Sequence, residues 1–178
     1  MAITLRSRRE IELMRRASIV VVDVLSKLQK IAEPGVTTGQ LDSEASRMAA
    51  DAGAQALFKG VRSPYARIPF PGAICASVNE QVVHGIPSES TKLEDGDILS
   101  IDFGVRLDGY CGDAAVTIAI GEVSEHKRRL MDVTKHVLEI AVATAAPVVK
   151  WSQVAAKMQN YAESVSYTHL TLPTTPYV

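Results

Sequence analysis

The spacing of hydrophobic residues changes from helical to alternating and back to helical along the chain. Near the N-terminus, Ser7 and Glu10 have the spacing of a capping box, which predicts the start of a helix that residues 33–35 (EPG) end. The apolar residues predicted to form its buried side are Ile11, Met14, Val21, Val22, Leu25 and Leu28. Thr37 and Gln40 repeat the capping box and predict a second helix.

The middle of the chain is predicted to form strands. The segments EDGDILSIDFGV and GYCGDAAVTIAI, joined at LDG, are the strongest candidates because they are rich in β-branched and apolar residues. Before them, AICASVNEQVVHGIP predicts a short strand, a turn near Asn79, a second short strand and a loop at residues 84–87. The preceding segment, FKGVRSPYARIPFPG, contains three prolines and predicts an irregular loop.

Helical spacing returns in the last third of the chain. A long helix is predicted from Ser124 or Glu125 to a point before Pro147, and Ser152 is predicted to cap one more helix. The inner side of that last helix would carry Val154, Ala155, Met158 and Ala162. Helices, then antiparallel strands, then helices predict an α+β fold rather than a parallel α/β sheet.

Composition and charge exclude several classes of protein. The net charge is −1, so no overall electrostatic attraction to nucleic acid or to an anionic membrane is predicted. No apolar run approaches the roughly 20 residues that span a bilayer. The basic N-terminal segment lacks the apolar core of a secretory signal. Cys75 and Cys111 are too few for a disulfide framework, so we expect reduced thiols in a cytoplasmic protein. We also expect a monomer.

Residues 165–178, VSYTHLTLPTTPYV, differ from the rest. The segment carries no charged side chain and combines four threonines with two prolines. It neither continues the preceding helix nor begins a clear strand. We interpret residues 165–178 as a non-native or disordered tail, with a C-terminal arm as the alternative, and residues 1–164 as the folded domain.

The strongest strand pair predicts where two carboxylates lie. Asp108 and Gly109 are a strong signal for a type I′ turn, and that turn fixes the register of the strands on either side. Counting outward from the turn places Gly104 opposite Asp113. Because side chains alternate between faces, Asp102 shares a face with Gly104 and therefore with Asp113. The two aspartates become diagonal neighbours, with Cα atoms roughly 7–8 Å apart or somewhat less.

The aspartate-bearing face of this hairpin has two interpretations. Adjacent carboxylates repel each other unless one is protonated or a cation lies between them, and two-metal hydrolytic sites use such pairs. The alternative is a solvated face with two surface aspartates, and spacing alone leaves both open. The opposite face is predicted to join the core through Leu99, Ile101, Phe103, Val105, Ala114, Val116, Ile118 and Ile120.

Several segments resemble the type I methionine aminopeptidases. They are HGIPS, GDILSIDFGV and DGYCGDAAVT, with REIELMRRAS and PGVTTGQLD nearer the N-terminus, and the resemblance covers roughly residues 3–164. The order SVNEQVVHGIP, then Asp102, then Asp113 is specific, because prolidases share the aspartate pair but usually not the upstream segment. The resemblance implies the N-terminal part of a pita-bread fold, an antiparallel sheet flanked by helices, with its second half incomplete.

The resemblance also implies roles for five residues. Asp102 and Asp113 would be metal ligands, and His84 would be a catalytic residue that contacts the substrate. Phe70 and Cys75 would line a methionine pocket together with His84, since an aromatic ring and a soft thiol suit a thioether. Without the resemblance, His84 would be interpreted as an ordinary loop residue. For Phe70 and Cys75 an ordinary core position stays open.

The activity implied by the resemblance is metal-dependent hydrolysis of the N-terminal methionine from nascent peptides, near the ribosome. Two divalent ions would be the cofactors, and the sequence does not choose among Mn, Fe, Co and Zn. The family uses five protein ligands, of which only Asp102 and Asp113 have a match here. His169 lies in no matching motif and receives no role. We therefore predict a C-terminally truncated copy that is weakly active or inactive.

The sequence leaves two alternative functions. A non-catalytic pita-bread protein that binds protein or RNA would tend to lose metal ligands, so the presence of Asp102, Asp113 and His84 counts against it. A prolidase-like peptidase would have a different pocket and usually an additional N-terminal domain.

Overall fold

The computed structural model describes residues 5–62, 67–165 and 167. The chain divides into two compact units, with the boundary between Val123 and Ser124. The helices are α1 (Arg8–Ile31), α2 (Thr38–Asp51), α3 (Glu125–Thr144) and α4 (Trp151–Ser164). The strands are β1 (Gln55–Ala56), β2 (Ile74–Val78), β3 (Ile98–Leu107) and β4 (Tyr110–Ala119). The predicted order of helices, strands and helices is confirmed.

Both predicted capping boxes are present at the first two helices. At α1, the Ser7 hydroxyl accepts a hydrogen bond from the Glu10 N–H at 3.3 Å, and the Glu10 carboxylate accepts one from the Ser7 N–H at 2.7 Å. At α2, Thr37 and Gln40 make the same reciprocal bonds at 3.1 and 2.9 Å. These bonds satisfy N–H groups that have no partner within the helix, which fixes where each helix begins.

The buried side of α1 differs from the prediction at three positions. The buried residues are Ala17, Val21, Val24, Leu25 and Leu28. Ile11, Met14 and Val22, which were predicted to be buried, are exposed. The reason lies in how closely α1 approaches β4: a Cβ added at Gly112 would lie only 2.7 Å from the Ala17 carbonyl carbon. Only a small residue fits the helix surface at that crossing.

The sheet is antiparallel, with β3 at its centre. β4 pairs with β3 along its whole length, while β2 and β1 pair with successive parts of β3. The turn between β3 and β4 has φ of 50° at Asp108 and 83° at Gly109, the positive pair that a type I′ turn requires. Gly104 lies opposite Asp113. The predicted turn and register are confirmed.

One face of this sheet forms the core with α1 and α2. Leu99, Ile101, Phe103 and Val105 are completely buried there, as predicted. On β4 the prediction holds less well, since Ala114 is exposed and Val116 and Ile118 are only half-buried. Ile120, which directly follows β4, is buried as predicted. β4 has no further strand beside it among the described residues of this unit, so its side chains are covered only where α1 lies over them.

The second short strand predicted after Asn79 does not form. Asn79 has a φ of 52° and reverses the chain, as predicted, but residues 81–87 are irregular. Beyond the turn bond from the Gln81 N–H to the Val78 carbonyl at 3.0 Å, the Ala76 N–H of β2 donates to the Gly85 carbonyl at 2.9 Å. The Gly85 N–H donates instead to the Ser77 hydroxyl, at 3.1 Å. A side-chain acceptor in place of a carbonyl interrupts the ladder that a strand would need.

The second unit contains α3 and α4. α3 begins at Glu125, as predicted, with Ser124 as its N-cap. Val133 and Val137 pack against Ala162 of α4. α4 begins at Trp151 with Lys150 at the N-cap, so the predicted cap at Ser152 is wrong. The Lys150 N–H donates to the Gln153 side chain at 3.2 Å, which lets the helix begin earlier.

Two further predictions concern the tail and the membrane. The tail predicted at residues 165–178 lies outside the described residues except for Val165 and Tyr167, and the domain boundary at 164 stays a prediction. Among the helices of the described part, none has both the length and the apolar character needed to cross a bilayer.

Candidate metal centre

Both predicted metal ligands lie on the face of the sheet opposite α1 and α2. Because Gly104 is paired with Asp113 and shares a face with Asp102, the two aspartates are diagonal neighbours. Cys75 lies directly opposite Asp102 on the other neighbouring strand and therefore shares that face. We call the surface formed by Cys75, Asp102, Gly104 and Asp113 the aspartate face. The predicted placement of the carboxylates is confirmed, and their role as ligands stays a prediction.

Negative charge and burial make this face unfavourable for ionised groups. Burial raises the pKa of the Asp102 carboxyl, and the negative charge of Asp113 raises it further, whereas the charge of His84 and a backbone hydrogen bond lower it. Burial, followed by the charges of Asp102 and Asp113, raises the pKa of the Cys75 thiol to about 11. Burial is the largest cause of both shifts and neighbouring negative charge comes next, so a cation at the aspartate face would favour the ionised carboxylates.

A divalent cation would compensate the negative charge of the aspartate face, but the described residues supply only part of a site for it. Carboxylate oxygens are suitable ligands for such ions, and an ion between Asp102 and Asp113 would remove their mutual repulsion. Within residues 5–62, 67–165 and 167, however, no group of three or more His, Cys, Asp or Glu side chains is arranged to hold a metal ion. The described residues therefore offer a pair of ligands rather than a complete dinuclear centre.

Gly104 leaves space for the Asp113 carboxylate above the centre of the sheet. A Cβ at this position would lie 2.7 Å from Asp113 Oδ2 and 3.2 Å from a ring carbon of Phe58. The Phe58 ring therefore lines the aspartate face beside Asp113. Sequence reasoning missed Phe58, because it belongs to no motif and reaches the face through the Leu57 N–H, which donates to the Gly104 carbonyl at 2.9 Å.

His84 is brought to the aspartate face in an uncommon backbone conformation. Its φ is 60°, in the left-handed region that costs a residue with a side chain roughly 1–2 kcal/mol. The next residue, Gly85, is hydrogen-bonded to Ala76 and Ser77 of β2, and the charge of His84 lowers the pKa of the Asp102 carboxyl. The side chain is exposed and thus accessible to a ligand.

Comparison with known proteins identifies the family. The profile of metallopeptidase family M24 matches residues 12–173. The chain belongs to metallopeptidase family M24. It is 37% identical over 167 residues to a methionine aminopeptidase of Aquifex aeolicus, covering 94% of this chain and 65% of that protein. It is 42% identical over 165 residues to one of Clostridium acetobutylicum, covering 93% of this chain and 64% of that protein.

Solved structures support the same fold. The crystal structure of a methionine aminopeptidase from Thermotoga maritima matches with a TM-score of 0.84 at 34% identity, covering 92% of this chain and 64% of that chain. A prolidase from Pyrococcus furiosus matches with a TM-score of 0.78 at 17% identity, covering 92% of this chain and 45% of that one, and shows the fold alone.

The predicted resemblance and fold class are therefore confirmed. This M24 chain is a homologue of the methionine aminopeptidases, and its α+β architecture corresponds to part of their pita-bread fold. It spans 64–65% of the length of the two relatives described above. The family implies dependence on a metal.

Cys75 and Phe70 are the residues predicted to line the methionine pocket. Cys75 is 5% exposed and lies on the aspartate face. Phe70 is half-buried on the segment that leads into β2, where its N–H donates to the Val61 carbonyl and its carbonyl accepts from the Gly60 N–H, both at 2.8 Å. The methionine-pocket role of both residues stays a prediction.

We predict that Asp102→Asn stabilises the metal-free protein at neutral pH. Since folding raises the pKa of this carboxyl above its ordinary 3.8, the folded state loses free energy relative to the unfolded state as the pH rises above that value and the group ionises. Asparagine removes this penalty. Because the group is partly exposed, we expect a gain of only a few tenths of a kcal/mol at pH 7, or about 1–2 °C in melting temperature.

Melting curves of both proteins at several pH values, with a metal chelator present, measure this difference. The gain should disappear near about pH 3, where the carboxyl is protonated in both states. A gain that is equal at both pH values would show that ionisation of Asp102 is not its cause.

Proposed function

We propose that this chain carries the N-terminal part of a metal-dependent enzyme that removes the N-terminal methionine from nascent peptides. The observation that carries the proposal is the β3–β4 register, which puts Asp102 and Asp113 side by side on one face, next to His84 and Cys75. Relatives named methionine aminopeptidases, at 37% and 42% identity, support the choice of substrate.

Each residue of the face has a distinct proposed role. Asp102 and Asp113 would hold divalent ions (Mn, Fe, Co or Zn), and such ions supply an activated water and polarise the carbonyl under attack. His84, exposed beside this pair, would contact the peptide group that is cleaved. Cys75 and Phe70 would contact the methionine side chain.

The chemistry of Cys75 favours a pocket role over a nucleophilic one. Because its pKa is raised to about 11, the thiol stays protonated and neutral at physiological pH. A neutral, polarisable thiol buried beside the face suits a thioether ligand. A cysteine nucleophile would require the opposite shift, since the thiolate is the reactive form.

We propose that the 178-residue chain alone is weakly active or inactive. Two carboxylates without further protein ligands hold a divalent ion weakly, because such ions take six or more oxygen ligands in dedicated sites. The substrates would be nascent peptides emerging from the ribosome in the cytoplasm, and the chain would act as a monomer.

We predict that binding of Co²⁺, followed by its visible absorption or by calorimetry, depends on the aspartate face. Asp113→Asn should weaken binding by about tenfold or more, because it removes one of two charged ligands. Asp108→Asn is the matched control: Asp108 is on the same hairpin, pairs with Arg16 at 3.1 Å, and has a φ of 50° that asparagine tolerates. Equal weakening by both variants would contradict a site at Asp113.

The substrate assignment is tested in a hybrid enzyme. The matching segment of the Aquifex aeolicus relative is replaced by residues 1–164 of this chain, and methionine release from Met-Ala-Ser is measured with Mn²⁺. We expect hydrolysis that falls at least about a hundredfold with Asp113→Asn. A folded hybrid that cleaves Ala-Pro but not Met-Ala-Ser would favour a prolidase-like function, and one that cleaves neither would favour a binding protein.

A further inference from the structure

Two buried hydroxyl groups in the described part of the chain both hold the loop that follows His84. Among the described residues, Ser77 and Thr38 are the only buried polar side chains, at 3% and 0% exposure. The Ser77 hydroxyl accepts a hydrogen bond from the Gly85 N–H at 3.1 Å. The Thr38 hydroxyl accepts one from the Ser88 N–H at 2.9 Å and donates to the Ser88 carbonyl at 3.2 Å.

Gly85 is also packed directly on the edge of β2. Its carbonyl accepts a hydrogen bond from the Ala76 N–H at 2.9 Å, and a Cβ at Gly85 would overlap the Ala76 carbonyl oxygen. The backbone of Gly85 is therefore fixed in position from two sides. His84, immediately before it, has the left-handed φ of 60°. Such a conformation persists only where the surrounding structure enforces it.

Ser77 connects this loop to the aspartate face. Along β2, Ser77 is two residues after Cys75 and so points to the same side of the sheet. Its partner across the ladder is Ser100, two residues before Asp102. The hydrogen bond from Gly85 to Ser77 therefore fixes the His84 backbone relative to the same two strands that carry Cys75 and Asp102.

We propose that Ser77 is a positioning residue for His84: its buried hydroxyl fixes the Gly85 N–H and thereby holds His84 in the left-handed conformation beside the aspartate pair. The catalytic meaning of this arrangement rests on the proposed function, but the positioning does not. Replacing the hydroxyl removes the acceptor that takes the place of a strand carbonyl. Without this acceptor, the backbone of His84 can leave the left-handed conformation, and its ring then moves.

The test uses NMR of the 178-residue chain with Ser77→Ala, Ser77→Thr and Ser100→Ala. Ser77→Ala is expected to accelerate amide hydrogen exchange at Gly85 at least tenfold and to shift the ring signals of His84. Ser77→Thr retains the hydroxyl and should restore both. Ser100→Ala removes a hydroxyl of the same face, one that bonds Thr117 at 2.9 Å, and should leave both unchanged. If Ser77→Ala unfolds the chain, the same two measurements are made on Ser77→Cys, whose thiol is nearly isosteric with the hydroxyl but a weaker acceptor.

Two results would overturn the proposal. One is unchanged exchange at Gly85 in Ser77→Ala, and the other is faster exchange without any change in the His84 ring signals, which would make Ser77 merely structural. Binding of Co²⁺ distinguishes a failure of this proposal from a failure of the proposed function. In the unsubstituted chain the bound ion should shift the His84 ring signals, and Ser77→Ala should alter that shift. If Co²⁺ shifts no signals, the proposed metal site fails, while the metal-free measurements still decide the role of Ser77.

Discussion

Iodoacetamide is expected to alkylate Cys111 at least a hundredfold faster than Cys75 at about pH 8. The thiolate is the reactive form of cysteine, and the pKa of Cys75 is raised from its ordinary 9.0 to about 11. A rise of two pKa units lowers the thiolate fraction on the order of a hundredfold. Cys75 is also 5% exposed, whereas Cys111 is exposed, so limited access slows the reaction further.

Mass spectrometry of the two cysteine peptides after timed quenching gives both rates in one sample. In about 6 M urea the rates should become equal, because burial and the nearby carboxylates are lost together. Asp102→Asn should accelerate alkylation of Cys75 severalfold in the folded protein, since it removes the second largest cause of the shift and leaves burial in place. Equal rates in the native protein would contradict both the burial of Cys75 and the electrostatic description of the aspartate face.

The aspartate pair could be predicted from sequence because a local signal determines it. The Asp108–Gly109 turn fixes the register within two residues, and alternation along β3 and β4 then fixes the face of every side chain. Nothing distant in the chain is needed to place Asp102 beside Asp113. The capping boxes at Ser7 and Thr37 are predictable for the same reason, since their partners lie three residues away.

Features that depend on contacts between distant segments could not be predicted. Phe58 lines the aspartate face only because the chain before it pairs with β3 at Gly104. Ser77 holds the His84 loop through a side-chain bond across eight residues, which also explains why the second strand predicted there is absent. In the sequence, these residues are an ordinary aromatic and an ordinary serine, and no periodic pattern distinguishes them.

The error in α1 has a tertiary cause as well. Helical periodicity predicts the buried side of a helix only where apolar residues lie on one side. In α1 apolar residues lie on more than one side. Val21 and Val22 are adjacent in sequence, yet Val21 is 1% exposed and Val22 is 57% exposed. The choice between them follows from the close approach of β4 to Ala17, which rotates the helix so that a small residue faces the sheet.

That close approach makes Gly112→Ala the substitution of largest expected effect on stability. The three atoms nearest to an added Cβ belong to the backbone of Ala17 and Ser18, at 2.7–2.8 Å, and Gly112 is buried. A clash with backbone cannot be relieved by rotating a side chain, so α1 itself has to move away from β4. We expect a loss of about 2–3 kcal/mol in the free energy of unfolding. In a melt followed by circular dichroism this is roughly 10 °C.

Gly109→Ala is the matched control, because it adds the same methyl group to the same hairpin. No atom lies within 4 Å of a Cβ at Gly109, and only its left-handed φ of 83° opposes the change. The expected loss is about 1 kcal/mol, since alanine also restricts the unfolded chain. If the two variants lose equal stability, backbone conformation rather than the contact between α1 and β4 limits this hairpin. A larger loss for Gly112→Ala means that α1 holds β4, and with it Asp113, in register against the rest of the aspartate face.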